Sequence, residues 1–133
     1  GYLKPLAEKH KINGYSRIYT EREIKECVYA GTPVPVSIPV RKDLALNDDY
    51  VIKYTGGDID GYHMVTVIGW NDKGLIFQNS WGKDWGDNGI GIIPYGYDID
   101  TAWAVSTKTN TIQTYQTWWQ KLVAKIKQLL GLL

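Results

Sequence analysis

The sequence predicts an α+β fold, an antiparallel β-sheet with barrel-like curvature that carries one main helix. Three features favour this class: short runs rich in β-branched and aromatic residues, turn sequences such as Asn-Asp-Lys-Gly between two of them, and one stretch with helix-capping residues. The 133 residues suffice for one domain with a hydrophobic core. We place that domain at residues 1–107.

The first strand and the helix are expected between residues 12 and 31. Residues 12–19 are rich in β-branched and aromatic side chains, which predicts a strand. Thr20 is a suitable N-cap, and Glu23 three residues later completes a capping box. The apolar side chains that follow share one helical face: Ile24, Cys27 and Val28. The sequence therefore predicts a helix over 21–30, which Gly31 ends.

The next strand, 33–40, has apolar residues at its even positions and three prolines at its odd ones. Residues of one parity point their N–H groups toward the same neighbouring strand, and proline has no N–H. One side of this strand should therefore lack donors, and we expect that side to be a sheet edge or a loop contact. Residues 41–61 are predicted to form a long irregular connection.

The second half of the domain is expected to hold four more strands. Residues 64–70 and 74–78 are predicted to form a hairpin around an Asn-Asp-Lys-Gly turn. Further strands are predicted at 89–94 and 102–107. Beyond them, 108–117 is polar and predicts a linker, and 118–133 predicts a basic amphipathic helix. We expect that helix to dock on protein, with a membrane surface as the less favoured alternative.

Charge and cysteine content exclude several classes of function. A formal net charge of +1 gives no basic field to attract nucleic acid. The single cysteine excludes an intrachain disulfide, and it forms no metal-ligand spacing with the two histidines. No metal and no cofactor is therefore expected, and the compartment stays open.

The candidate site lies at the open end of the predicted hairpin. His63 precedes one strand and Asn79 follows the other, so pairing should bring them opposite each other. A lone histidine at a strand start is more often structural than catalytic, but an amide that accepts its ring N–H fixes the imidazole and leaves the second nitrogen free to exchange a proton. Trp81 could cover this hydrogen bond, and glycines at 82, 86 and 89 would allow a tight loop.

Four stretches resemble papain-like cysteine peptidases. They are YHMVTVIGW (62–70), GLIFQNSWGKDWGDNGIGIIP (74–94), INGYSRIYTEREIKECVYAGTPVPVSI (12–38) and IIPYGYDIDTAWAVST (92–107). The third has Gly-Thr-Pro-Val where the family usually has Gly-Pro-Val. The resemblance covers about residues 12–107 and implies the C-terminal, barrel-like half of the papain-like fold.

The resemblance also implies roles for individual residues. His63 would be the general base and acid that pairs with a cysteine thiolate, and Asn79 would orient its imidazole. Trp81 would shield that pair. Met64 and Ser37 match positions that line the main specificity pocket of the family. The substrate would be a peptide or protein.

The family's nucleophile is not found in this sequence. Its cysteine lies in a Cys-Gly-Ser-Cys-Trp context well upstream of the histidine, and only 62 residues precede His63. Cys27 falls on the apolar face of the predicted helix, where it should be a small buried hydrophobe. Two interpretations remain: the chain is the His/Asn half of a peptidase whose Cys-bearing half lies elsewhere, or it is an inactive scaffold that binds a partner. We favour the first and expect the chain alone to be inactive.

Overall fold

A computed structural model of the protein describes residue 8 and residues 11–41, 44–54 and 56–107. The predicted linker 108–117 and helix 118–133 lie outside these residues. Most of the described residues belong to one compact unit, Gly14–Val105. The elements are β1 (Ile12–Ile18), α1 (Glu21–Tyr29), β2 (Val34–Val40), β3 (Gly61–Trp70), β4 (Gly74–Gln78), β5 (Ile90–Pro94) and β6 (Thr101–Thr107).

The six strands form one sheet in the order β1-β6-β2-β3-β4-β5. β2 pairs antiparallel with β6 and β3, and β4 pairs antiparallel with β3 and β5. The predicted hairpin is the β3–β4 pair, although β3 begins at Gly61, three residues before the predicted start. The sheet and its helix confirm the predicted α+β class. In the described part of the chain, no helix is long and apolar enough to cross a bilayer.

One face of the sheet forms the core. Because side chains alternate along a strand, the even residues of β2 and the odd residues of β3 share this face. Their cross-strand pairs are Val34 with Val67, Val36 with Val65, and Ile38 with His63. The same face continues over β4 and β5 through buried Leu75, Phe77 and Ile93. His63 therefore stands at the end of a row of core side chains.

Helix α1 begins and ends where the sequence predicts, to within one residue. The Thr20 side chain accepts a hydrogen bond from the N–H of Glu23, and the Glu23 carboxylate accepts one from the N–H of Thr20. The helix ends because Gly31 adopts φ +82°, a left-handed conformation that glycine reaches without steric cost. Ile24 and Cys27 are the buried residues of the helix.

The expectation that β2 lies at a sheet edge is wrong, because β2 lies between β6 and β3. The proline side of the strand faces β6, where only two residue pairs form, against seven with β3. The expected loop contact is present on that side. The N–H of Asp100 donates to the Ser37 carbonyl, and the Tyr97 hydroxyl donates to the Pro39 carbonyl. The missing donors thus shorten one pairing and leave carbonyls for a loop, without placing the strand at an edge.

The irregular connection between β2 and β3 runs beside β5. Within its described part, Val51 forms a parallel bridge with Ile92. The N–H of Ile52 donates to the Ile92 carbonyl, and the N–H of Ile92 donates to the Tyr50 carbonyl, each at 2.9 Å. These bonds occupy part of the outer edge of β5, which would otherwise offer unpaired backbone groups.

Candidate active site

His63 is the second residue after the start of β3 and lies on its core-facing side. Its cross-strand partner is Ile38, which is fully buried. The imidazole is half-buried, whereas Tyr62 and Met64 on either side are exposed on the opposite face of the strand. The strand alternation therefore holds the ring at the rim of the core and leaves part of it accessible.

Asn79 directly follows β4 and is only 7% exposed. Its N–H donates to the Gly89 carbonyl at 2.8 Å, which fixes the backbone at the end of the strand. The expected position directly opposite His63 is wrong. The turn pairs Trp70 with Leu75, and beyond the extra residue Ile68 in β3 the register pairs Thr66 with Gln78. Asn79 therefore lies level with the residue two positions beyond His63, and its side chain reaches the imidazole diagonally.

The two side chains are hydrogen-bonded, with 2.8 Å between His63 Nε2 and Asn79 Oδ1. The Ser80 N–H also donates to Oδ1, at 2.8 Å. A backbone N–H can only donate, so the shared atom is the amide oxygen and not the amide nitrogen. An oxygen acceptor requires Nε2 to carry the proton. In the neutral imidazole Nδ1 is therefore the unprotonated nitrogen, and this is the atom free to accept a proton.

The amide nitrogen of Asn79 has a different environment from its oxygen. Nδ2 is buried and has no hydrogen-bond partner among the described residues. A buried donor without an acceptor costs about 1–3 kcal/mol. The amide is thus held in place by the two donors at Oδ1, despite the cost at Nδ2.

Trp81 covers the imidazole of His63. The two rings are stacked, with centroids 4.7 Å apart and planes 25° from parallel. Trp81 is 45% exposed, so its outer surface faces solvent. An aromatic ring in this position limits access of water to the imidazole, and a hydrogen bond is stronger where water is excluded.

The loop after Asn79 depends on glycine, as the sequence predicts. Gly82, Gly86 and Gly89 have φ values of +94°, +60° and +87°. A side chain at Gly86 would also overlap the Ile90 carbonyl oxygen. Glycine adopts these left-handed conformations without steric strain, and the loop returns the chain to β5 nine residues after Trp81.

Sequence reasoning missed the support beneath Trp81. Trp85 meets Trp81 edge-on at 5.8 Å, and Phe77 lies 5.7 Å from Trp85 between ring centroids. We call Trp81, Trp85 and Phe77 the aromatic row. The Trp81–Trp85 spacing in a glycine-rich loop was visible in the sequence, but the link to Phe77 depends on the pairing of β4 with β5.

The two residues predicted to line a substrate pocket are direct cross-strand partners. Ser37 pairs with Met64 in the β2–β3 register, so their side chains share the face opposite His63. Met64 is 53% exposed and Ser37 is buried. Cys27 is buried in α1, as expected for a packing residue. The described residues contain no cluster of three or more His, Cys, Asp or Glu side chains that could hold a metal ion.

Comparison with known proteins agrees with this geometry. Residues 4–109 match the family model described as papain family cysteine protease. The chain belongs to the papain family of cysteine proteases. Among curated papain-family relatives, it is 36% identical over 87 residues to the cathepsin B-like CP1 of Giardia intestinalis. It is 31% identical over 104 residues to a gut-specific cysteine proteinase of Caenorhabditis elegans, which covers 74% of the chain.

Solved papain-family structures share the fold. Xylellain, a cysteine protease from Xylella fastidiosa, matches 73% of the chain and 41% of its own length, with 27% identity and a TM-score of 0.62. A cysteine protease of Carica candamarcensis matches 73% of the chain with 21% identity and a TM-score of 0.57, a likeness of fold alone. The chain spans only 29% and 32% of the lengths of the Giardia and Caenorhabditis relatives; matched residues account for 60% of this chain in the Giardia comparison.

Proposed function

We propose that this chain provides the general base and its orienting amide in a papain-family cysteine peptidase whose nucleophilic cysteine lies in a Cys-bearing half outside this sequence. The observation that carries the proposal is the bond between His63 Nε2 and Asn79 Oδ1, because it leaves Nδ1 as the free proton acceptor. In this role His63 is the catalytic base and acid, and Asn79 is its positioning residue.

The proposed reaction uses His63 Nδ1 twice. Nδ1 first takes the proton of the partner's thiol, and the thiolate attacks the peptide carbonyl carbon. The imidazolium then returns that proton to the leaving amine, and an acyl-enzyme thioester remains. In the second half Nδ1 takes a proton from water, the hydroxide attacks the thioester, and the thiolate leaves. Through both halves Nε2–H stays on Asn79, so the ring keeps its orientation.

Cys27 does not fit the nucleophile's role. It lies on the buried face of α1, next to the core, and a catalytic thiolate needs an accessible position beside a positive group. The curated relatives are about three times as long as the matched segment. Their additional length leaves room for the Cys-bearing half that the proposal requires.

The other site residues have proposed roles that follow from their placement. Trp81 shields the His63–Asn79 bond from water. Met64 and Ser37, adjacent across β2 and β3, contact the substrate side chain in the specificity pocket. Met64 is exposed in this chain, which leaves it accessible to a substrate or to the Cys-bearing half.

Reconstitution tests the proposal. A Cys-bearing half from a papain-family relative is joined ahead of this chain, and cleavage of a fluorogenic peptide is measured. We expect hydrolysis that a thiol-alkylating reagent abolishes and that His63→Ala reduces by at least about a hundredfold, the contribution typical of a general base. His10→Ala, at the only other histidine, should leave the rate unchanged. Hydrolysis that persists in His63→Ala would refute the role of His63.

A second function is favoured by one surface feature. On the face of β3 opposite His63, the large apolar side chains of Tyr62 and Met64 are exposed, and Ile68 is exposed at the bulge of the same strand. Such a group is typical of a contact surface, and we propose partner binding by an inactive scaffold as the alternative function. The predicted amphipathic helix at 118–133 would add a second docking element. In that case His63→Ala leaves partner binding intact, and the chain joined to a Cys-bearing half remains inactive.

A further inference from the structure

We propose that Trp85 and Gly91 are positioning residues, which hold Trp81 in its stack on His63 and so keep the imidazole aligned with Asn79. The importance of this arrangement for catalysis rests on the proposed function. The arrangement itself does not, because it concerns contacts within this chain.

The aromatic row connects the site to the core. Phe77 is fully buried in β4, so its ring is fixed by the side chains around it. Trp85 lies against Phe77, with ring planes 49° apart, and is only partly exposed. Trp81 meets Trp85 nearly at a right angle, 86°, the edge-to-face geometry that aromatic pairs favour. The indole over His63 thus rests on a ring that itself rests on the core.

Gly91 makes room for this row. It is the cross-strand partner of Phe77 in the β4–β5 register. A Cβ at Gly91 would lie 2.8 Å from the outer atoms of both Phe77 and Trp85, closer than real Cβ contacts allow. Gly91 has no positive φ that would require glycine. Its lack of a side chain is therefore explained by the two rings that pack against the backbone there.

The two rings differ in how they would respond to a side chain at position 91. Phe77 is fully buried, whereas Trp85 is partly exposed and can move outward. A displaced Trp85 would withdraw the edge that supports Trp81. Trp81 is nearly half exposed, and its other ring contact is His63 itself. The predicted result is a loosened stack on the imidazole, caused by a substitution at a residue that neither stacks on His63 nor accepts its hydrogen bond.

Nuclear magnetic resonance of His63 in the 133-residue chain tests the proposal. An aromatic ring stacked on the imidazole shifts its carbon-bound proton resonances, and Trp81→Leu gives the position without the stack. In Trp85→Leu we expect these resonances to move from the wild-type position toward that of Trp81→Leu. Trp103→Leu is the matched control, because Trp103 packs on Tyr15 instead of the aromatic row. It should leave the His63 resonances in place.

Glycine substitutions give a second, independent readout. Gly91→Ala should shift the His63 resonances in the same direction as Trp85→Leu. Gly69→Ala, also within a strand, should not, because its added Cβ would meet only Ile76 at ordinary contact distances of 3.6 and 3.7 Å.

The outcomes separate this proposal from the proposed function. A folded Trp85→Leu chain with unchanged His63 resonances would overturn the positioning role, even if the reconstituted peptidase is active. Shifted resonances would support it, even if reconstitution yields no activity. If Gly91→Ala does not fold, Trp85→Leu decides the question alone.

Discussion

Replacing Asn79 with alanine removes the one acceptor described for the His63 Nε2–H group. It also removes the acceptor of the Ser80 N–H, since both donors share Oδ1. The substitution does not affect the strand alternation that positions His63. The expected consequence is a smaller fraction of neutral imidazole with its proton on Nε2, together with a loss of stability.

The tautomer ratio can be worked out from the hydrogen bond. A neutral hydrogen bond contributes about 1 kcal/mol net, and the Nδ1–H tautomer would also turn a nitrogen lone pair toward Asn79 Oδ1. A difference of about 1.4 kcal/mol corresponds to a tenfold ratio. In wild type, neutral His63 should therefore be Nε2–H in at least about nine molecules of ten. In Asn79→Ala the ratio should fall to that of histidine in an unstructured peptide.

The stability change follows from the same contacts. The two N–H donors lose their acceptor, at a cost of about 1–3 kcal/mol each when they stay buried. The substitution also removes the unpaired Nδ2 group, and this recovers about the cost of one buried donor. The expected net loss for Asn79→Ala is thus about 1–3 kcal/mol in urea unfolding. The variant should remain folded at neutral pH.

Nitrogen-15 chemical shifts of the two imidazole nitrogens report the tautomer directly. Asn71→Ala is the matched control, because Asn71 Oδ1 also accepts two backbone N–H groups, at the other end of the same hairpin. It should lower stability and leave the His63 tautomer unchanged. An unchanged Nε2–H population in Asn79→Ala would refute the assignment of Asn79 as the group that sets the tautomer.

Further predictions concern the fold and the thiol. Gly74→Ala should cost about 1–3 kcal/mol or more in urea unfolding, because its Cβ would overlap a carbonyl oxygen of β5, whereas Gly61→Ala meets no atom and should cost less. Thr20→Ala should lower the thermal midpoint through the loss of about 1 kcal/mol of N-cap stabilisation, and an unchanged midpoint would contradict this. Hydrogen bonds from the backbone before α1 and from the Thr20 hydroxyl lower the pKa of Glu23. Its contribution to stability is present above the ordinary glutamate pKa and is lost as the pH falls through the lowered value, so Glu23→Gln should flatten the acid side of the stability curve. Cys27 should react with iodoacetamide only on unfolding, and labelling as fast as that of a free thiol would contradict its burial.

Local signals were sufficient to predict the hairpin and the helix. The Asn-Asp-Lys-Gly turn fixes where β3 and β4 meet, since Asn71 accepts the N–H groups of Lys73 and Gly74. Thr20 and Glu23 fix the start of α1 by contacts only three residues apart in sequence. These features depend on neighbouring residues, so the sequence alone specifies them.

Non-local features could not be predicted in the same way. The prolines of β2 correctly indicated a side without donors, but the position of β2 in the sheet depends on β6, more than sixty residues later. The turn pairs Trp70 with Leu75, a register that alone would place Asn79 opposite Thr66. The extra residue Ile68 in β3 has no turn signal, and it brings Asn79 one position closer to His63. The aromatic row likewise requires the β4–β5 register, which places Gly91 opposite Phe77.

Three features of this chain orient His63. The start of β3 places the imidazole, Asn79 holds Nε2–H, and Trp81 covers the ring. Because these groups belong to one hydrogen-bonded sheet and its loop, the base is oriented before any thiol approaches it. In the proposed peptidase, the Cys-bearing half then contributes the nucleophile and its proximity. It follows that variants of the assembled enzyme fall into two groups. Those that also move the His63 resonances of this chain act on the base, and those that reduce hydrolysis without moving them act on substrate binding or on the contact between the two halves.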